Sequence, residues 1–149
     1  MLPKERLRKR AERLLEKFLR EVAEKYKPSC VILFGSYSRG DFTESSDIDV
    51  CVISSNLPSN LHERRTIYHR LPGINAIGYT PREFEEEVRR GNPLALDIIL
   101  YGRPLMGEQE YRRLRKIMEE VVKEMGLVRD EHGWRRARGS ESYGGAGPP

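Results

Sequence analysis

Residues 34–54 read FGSYSRGDFTESSDIDVCVIS, and how this stretch is read decides the fold. It begins where a short apolar run, Cys30 to Phe34 (CVILF), stops at Gly35, and it ends in a second run, Ile48 to Ile53. Short, unbroken, β-branched runs of this kind are the pattern of strands buried on both faces. Between them lie a Gly-Ser pair, small polar residues and two aspartates spaced D-x-D, Asp47 and Asp49. In an extended segment that spacing puts both carboxylates on one face of a sheet and sends Ile48 and Val50 into the core on the other.

Before this stretch, apolar residues from Leu7 to Tyr26 recur at steps of three and four, which predicts an amphipathic helix that Pro28 ends. After it, Leu61 to Arg70 predicts a helix stopping near Pro72-Gly73, and Ile74 to Tyr79 a third strand. Thr80-Pro81-Arg82-Glu83 has the form of a capping box with Pro at the first helical position, opening a helix through Arg90. Asn92 to Tyr101 reads as a Pro-containing turn leading into a fourth strand at Ile98–Leu100. Glu108 to Met125 predicts a last helix, closed by Gly126. Helices alternating with strands give an α+β layer architecture, a small sheet flanked by helices. Residues 1–138 are read as one domain and the Gly-rich stretch 139–149 as a disordered tail.

Charged residues are 34% of the 149, Arg greatly outnumbers Lys, and the amide side chains are confined to Asn56, Asn60, Asn75, Asn92 and Gln109. That balance resembles a thermophile protein. The net charge of +4 is modest and the basic residues are interleaved with acids, so no uniform basic face for nucleic acid is expected. No apolar run reaches the roughly 20 residues of a membrane span, and MLPKERLRKR leads into charged helix, so a cytoplasmic protein is expected. Cys30 and Cys51 lack C-x-x-C or histidine spacing and read as buried reduced thiols.

Two carboxylates held a few ångströms apart repel by about 1 to 4 kcal/mol, depending on screening. A divalent cation removes that penalty, and Mg²⁺ favours carboxylates together with substrate phosphate oxygens. By itself the D-x-D fits solvated aspartates at a strand mouth equally well. Gly35-Ser36 adds a backbone that a ligand can approach closely and a hydroxyl and amide for a phosphate, and Arg39-Gly40 adds a cation. A phosphate cradle beside a metal-binding pair suits an enzyme acting on nucleoside triphosphates.

GSYSRG followed by DID, with ten residues between Ser36 and Asp47, resembles the signature of the DNA polymerase beta-type nucleotidyltransferase superfamily. Within it the chain is most similar to the minimal nucleotidyltransferases of archaea and bacteria, and YTPREFEEE, LYGRPL and GLVRDEHGW extend the likeness to about Trp134. The resemblance implies a polymerase beta-like fold with a mixed sheet. It makes Gly35 and Ser36 binders of the triphosphate of an NTP, ATP by preference, with Arg39 as a further phosphate contact. Asp47 and Asp49 become the catalytic carboxylates that hold Mg²⁺ in a two-ion site. An attacking hydroxyl then takes a nucleoside monophosphate and pyrophosphate leaves.

At the third carboxylate position of that family, alignment on Tyr79-Thr80-Pro81 puts Asn75. An amide oxygen can ligate a metal but brings no charge and takes no proton at neutral pH, so the second ion is weakened. Asp97 is a substitute if the fourth strand lies beside the site, with Asp41 and Glu44 as lesser candidates. Minimal nucleotidyltransferases are commonly paired as antitoxins with HEPN toxins, which makes a HEPN-type protein the expected partner and acceptor, with homo-oligomers open. A catalytically impaired NTP-binding antitoxin or regulatory subunit is the alternative, and a nucleic-acid binder using Arg-rich helices a weaker one. Arg64 and His69 stand at the R-x4-H spacing of HEPN ribonucleases by chance on a charged helix. His62 and His132 have no ligand spacing, and Trp134 and Tyr143 receive no role.

Overall fold

The computed structural model describes residues 3–60, 62–64 and 72–139. A long helix α1 (Pro3–Tyr26) leads into strand β1 (Cys30–Phe34), a single helical turn α2 (Ser36–Arg39) and strand β2 (Ile48–Ile53). Strand β3 (Ile74–Tyr79), helices α3 (Pro81–Arg89) and α4 (Pro93–Tyr101), and strand β4 (Arg103–Met106) follow. Helix α5 (Glu108–Met125) and a hairpin of β5 (Leu127–Asp130) and β6 (Gly133–Arg136) complete the described chain.

The sheet has the order β3-β2-β1-β4 and is mixed: β1 runs antiparallel to both β2 and β4, while β2 and β3 are parallel. The period of two decides what each face buries. Val31, Leu33, Ile48, Val50 and Val52 meet Ala11, Phe18 and Val22 of α1 on one face. Cys30, Ile32, Cys51 and Ile53 meet Phe84 of α3, Leu96 and Ile99 of α4 and Met118 of α5 on the other. β1 and β2 are therefore covered on both sides, which is why neither shows the alternating polarity of a half-exposed strand. The α+β sheet-and-helix reading stands.

One expected element changes type. Residues 93–101 are helix α4, not a turn and strand: the Asn92 carboxamide oxygen accepts the Leu94 N–H at 2.9 Å, and Pro93 occupies the first turn. LALDIIL reads as a strand because the helix is packed nearly all round, with Ala95, Leu96, Ile98 and Ile99 buried. A buried helix and a buried strand leave the same unbroken apolar run. The fourth strand is RPLM, too short and mixed to register as one. The turn α2 and the β5–β6 hairpin also went unread. Residues 62–64 are helical, while the rest of the expected 61–70 helix and the 140–149 tail lie outside the described residues.

Among the described residues no helix is long and apolar enough to cross a membrane. Cys30 and Cys51 are free and buried, and burial pushes the Cys30 thiol up to about 12, so it stays protonated and unreactive.

Candidate active site

Gly35 joins the end of β1 to α2 with φ +72°, ψ −156°, a conformation glycine tolerates. A Cβ there would lie 2.2 Å from Oδ2 of Asp49, so the missing side chain is also what lets the carboxylate lie over the turn. The turn is closed by the Ser38 and Arg39 N–H groups, which donate to the Gly35 carbonyl at 3.1 and 3.0 Å. Being first in the turn, the amides of Ser36 and Tyr37 have no intrahelical acceptor.

Two contacts fix the turn in place. The Ser38 hydroxyl donates to the Tyr101 carbonyl at the end of α4 at 2.6 Å. The Tyr37 ring stacks on Phe42 at 4.3 Å, and Lys4 and Arg8 of α1 stand over the Phe42 ring.

Asp49 lies in β2 opposite Phe34 of β1, and Asp47 immediately precedes the strand. Ile48 and Val50 are buried against α1, so the two carboxylates take the opposite face, as the D-x-D spacing requires. Asp47 is exposed and Asp49 half-buried. Burial pushes the Asp49 carboxyl above the ordinary range; the Asn75 hydrogen bond pulls it back, the Asp47 charge pushes it up again and Arg39 lowers it.

Asn75 of β3 is the register partner of Asp49, and its amide donates to Asp49 Oδ1 at 3.2 Å. Asn75 thus stands beside the aspartate and presents a neutral donor to it. Among the described residues no group of three or more His, Cys, Asp or Glu side chains is placed to hold a metal ion.

A cavity of about 560 Å³ opens beside this turn, a size suited to a small-molecule ligand. Gly35, Ser36, Arg39 and Asp49 line its polar end. Phe34, Leu94 and Tyr101 supply an apolar and aromatic wall, with Asp97 and Arg129 beyond. Leu94 is exposed although large and apolar. The Arg129 guanidinium lies 5.3 Å above the Tyr101 ring.

Leu94, Tyr101 and Arg129 were missed because nothing in the chain ties residues 94, 101 and 129 to residue 35. Asp97 does come to the cavity, but from a helix, and its carboxylate accepts from Arg129 Nε at 2.9 Å, Arg129 Nη2 at 3.3 Å and Trp134 Nε1 at 2.7 Å. It therefore anchors the β5–β6 hairpin to α4.

Asp41 meets Arg39 at 3.3 Å on the surface, and Glu44 stands in the exposed loop before Asp47. Arg64 is buried, paired with Glu83 at 2.8 Å and bonded to the Pro58 carbonyl, a structural clamp onto the α3 capping box. His69 lies outside the described residues.

Comparison with known proteins supplies an independent line. Residues 15–130 match the profile of a family described as a nucleotidyltransferase domain. An archaeal protein of Methanocaldococcus jannaschii named "putative protein adenylyltransferase" is 30% identical over 124 residues, covering 72% of this chain and 83% of that protein. A second protein of that name and organism is 43% identical over 44 residues, covering 28% of this chain and 44% of its own length. Among solved structures, one described as a toxin-antitoxin with AMP-PNP superposes with a TM-score of 0.53 at 20% identity, over 76% of this chain and 87% of the other. At that identity the likeness is one of fold.

Proposed function

The chain belongs to the nucleotidyltransferase domain family, and from that premise we propose that it moves the AMP of ATP onto a protein hydroxyl, with Mg²⁺ as the metal. The observation that carries this reading is the Gly35 turn lying directly under Asp49, so that one cavity offers a phosphate cradle and the Asp49 carboxylate together, with Asp47 just before the strand.

In this reading the triphosphate lies against the Ser36 hydroxyl, the open amides of the α2 turn and the Arg39 guanidinium. The base lies on Phe34, Leu94 and Tyr101, where an apolar wall favours a flat ring. Asp47 and Asp49 fit a divalent cation: two carboxylates share one face, and Asp49 is already pushed toward protonation by burial and by its neighbour. Asn75 gives an amide N–H to Asp49, and its amide oxygen is the atom it could offer the ion. A bound Mg²⁺ would neutralise phosphate charge as the transfer proceeds.

The acceptor hydroxyl forms a bond to the α-phosphorus as the bond to the β-phosphate oxygen breaks, and pyrophosphate leaves. The hydroxyl proton has to go to an aspartate or to water, because Asn75 takes none and Asp97 is already held by three donors. The names of the relatives support a protein as acceptor. The fold neighbour supports a toxin partner, for which we favour a helical HEPN-type protein, with this chain as the antitoxin.

A second reading, a nucleotide-binding antitoxin or regulatory subunit without turnover, is favoured by Asn75 itself. One experiment separates them: transfer of label from α-labelled ATP into proteins of a host lysate, with Mg²⁺. For the transferase, a discrete protein is labelled by the native chain and not by Asp47→Ala, Asp49→Ala. If only Asn75→Asp labels, rising by roughly a hundredfold as a recovered general base or metal ligand would give, the native chain is the binding subunit.

A further inference from the structure

Away from the cavity, the arginines of α3 and α5, and Arg135 of the hairpin, are matched with acids, as in Arg82–Glu86, Arg89–Glu85, Arg113–Glu110 and Arg135–Asp130. Helix α1 differs. Arg6, Arg10, Arg13, Lys17 and Arg20 are all exposed, and none makes an ion pair among the described residues.

Their steps of four, three, four and three residues put them in one row along the helix, about 21 Å long at 1.5 Å per residue. What looks interleaved in sequence is sorted on the surface over residues 6–20. The row lies away from the buried face of Ala11, Phe18 and Val22. By the same helical spacing Glu5, Glu12 and Glu16 fall to one side and the half-buried Leu7 and Leu14 to the other, while Glu21 and Glu24 close the row at its C-terminal end.

At its N-terminal end the row borders a groove of about 310 Å³ lined by Pro3, Arg6, Leu7, Arg10, Arg13 and Glu44. Glu44 belongs to the loop that leads to Asp47. Lys4 fastens the start of α1 to that loop by donating to the Gly40 carbonyl at 2.6 Å. The row therefore begins beside the loop that leads to Asp47.

We propose that this row is a docking surface for an acidic, amphipathic segment of a partner protein, its carboxylates on the cations and its apolar side chains on Leu7 and Leu14. A protein segment fits better than nucleic acid for two reasons. The row is one residue wide, and the glutamates beside it, with Glu44 in the groove, would repel a second line of phosphates. The apolar shoulder gives a phosphate backbone nothing to bind but gives a leucine or isoleucine a place. The inference does not rest on the nucleotide chemistry; if that reading holds, the occupant of the row is also the protein acceptor.

The test uses the full chain at low ionic strength, where such contacts are least screened. A labelled helical peptide with glutamates in the same four-three-four-three order and leucines beside them is titrated, against the same peptide with glutamines and against a single-stranded RNA of similar length. Arg6→Gln, Arg13→Gln, Arg20→Gln should weaken the glutamate peptide by about tenfold, the sum of three exposed charge contacts. A comparison chain, Arg82→Gln, Arg90→Gln, Arg112→Gln, loses the same charge elsewhere and should bind within about twofold of native. Circular dichroism establishes that both variants are folded.

The proposal is overturned if the native chain does not distinguish the glutamate from the glutamine peptide, or if both variants lose binding alike. It is equally overturned if RNA binds more tightly than the peptide and is the ligand lost with the α1 variant. The Asp47→Ala, Asp49→Ala chain should bind the peptide as the native chain does, whatever becomes of transfer.

Discussion

In the reading proposed above, Asp49 is where stability and function pull apart. Its folded-state carboxyl is raised above its ordinary value, first by burial. The folded chain therefore holds that proton more tightly than the unfolded chain, and ionised Asp49 lowers stability at neutral pH. As pH falls through the raised value the penalty is relieved, and below the ordinary carboxylate range it is gone. In metal-free buffer Asp49→Asn should melt higher than the native chain at pH 7, with the two melting temperatures converging on acidification. A thermal series against pH reads this directly. Gly35 is the complementary case: Gly35→Ala places a methyl 2.2 Å from Asp49 Oδ2 at a positive φ. The expected loss is about 1–3 kcal/mol in stability, together with nucleotide binding, measured by urea unfolding and ATP titration.

At the scale of elements, α4 is the piece that turns the end of the two central strands into a cavity. Its start depends on Asn92, whose oxygen caps Leu94 and whose amide donates to Glu87 at 2.6 Å. Asn92→Ala should cost about 1 kcal/mol and weaken ATP binding too, because Leu94 and Tyr101 ride on this helix. Asp97, also on α4, holds Arg129 and Trp134. Asp97→Ala should lower stability by roughly 1–2 kcal/mol through the lost bonds to these donors. Transfer should keep its Mg²⁺ dependence; a shift to much higher Mg²⁺ would make Asp97 a metal ligand instead.

Over the whole molecule the two helical layers press on one mixed sheet, and the helix-covered face that buries Phe84 also carries Asp49 and Asn75. Phe84 is fully buried and meets Tyr79 of β3 edge-on at 5.2 Å. Phe84→Ala should destabilise by about 3–5 kcal/mol, seen as a lower urea midpoint. If the sheet is one cooperative unit, fluorescence from Trp134 on the β5–β6 hairpin should report the same midpoint as far-UV circular dichroism.

What the sequence determined by itself was local. The apolar runs of β1 and β2, the capping box at Thr80, the helical spacing of α1 and α5, and the Gly35-Ser36 and D-x-D pattern were all legible. In each case the residues that define the feature are neighbours in the chain or lie at a fixed backbone period. Tertiary structure decided the rest. LALDIIL could bury its apolar run as helix or strand; Asn92 and Pro93 open it as a helix, and packing against α5 and the sheet holds it there. The cavity wall of Leu94, Tyr101 and Arg129, and the binding of Asp97 to a hairpin more than thirty residues away, exist only once the chain has closed on itself. Contacts at such separations have no period, so they leave no trace in a single sequence.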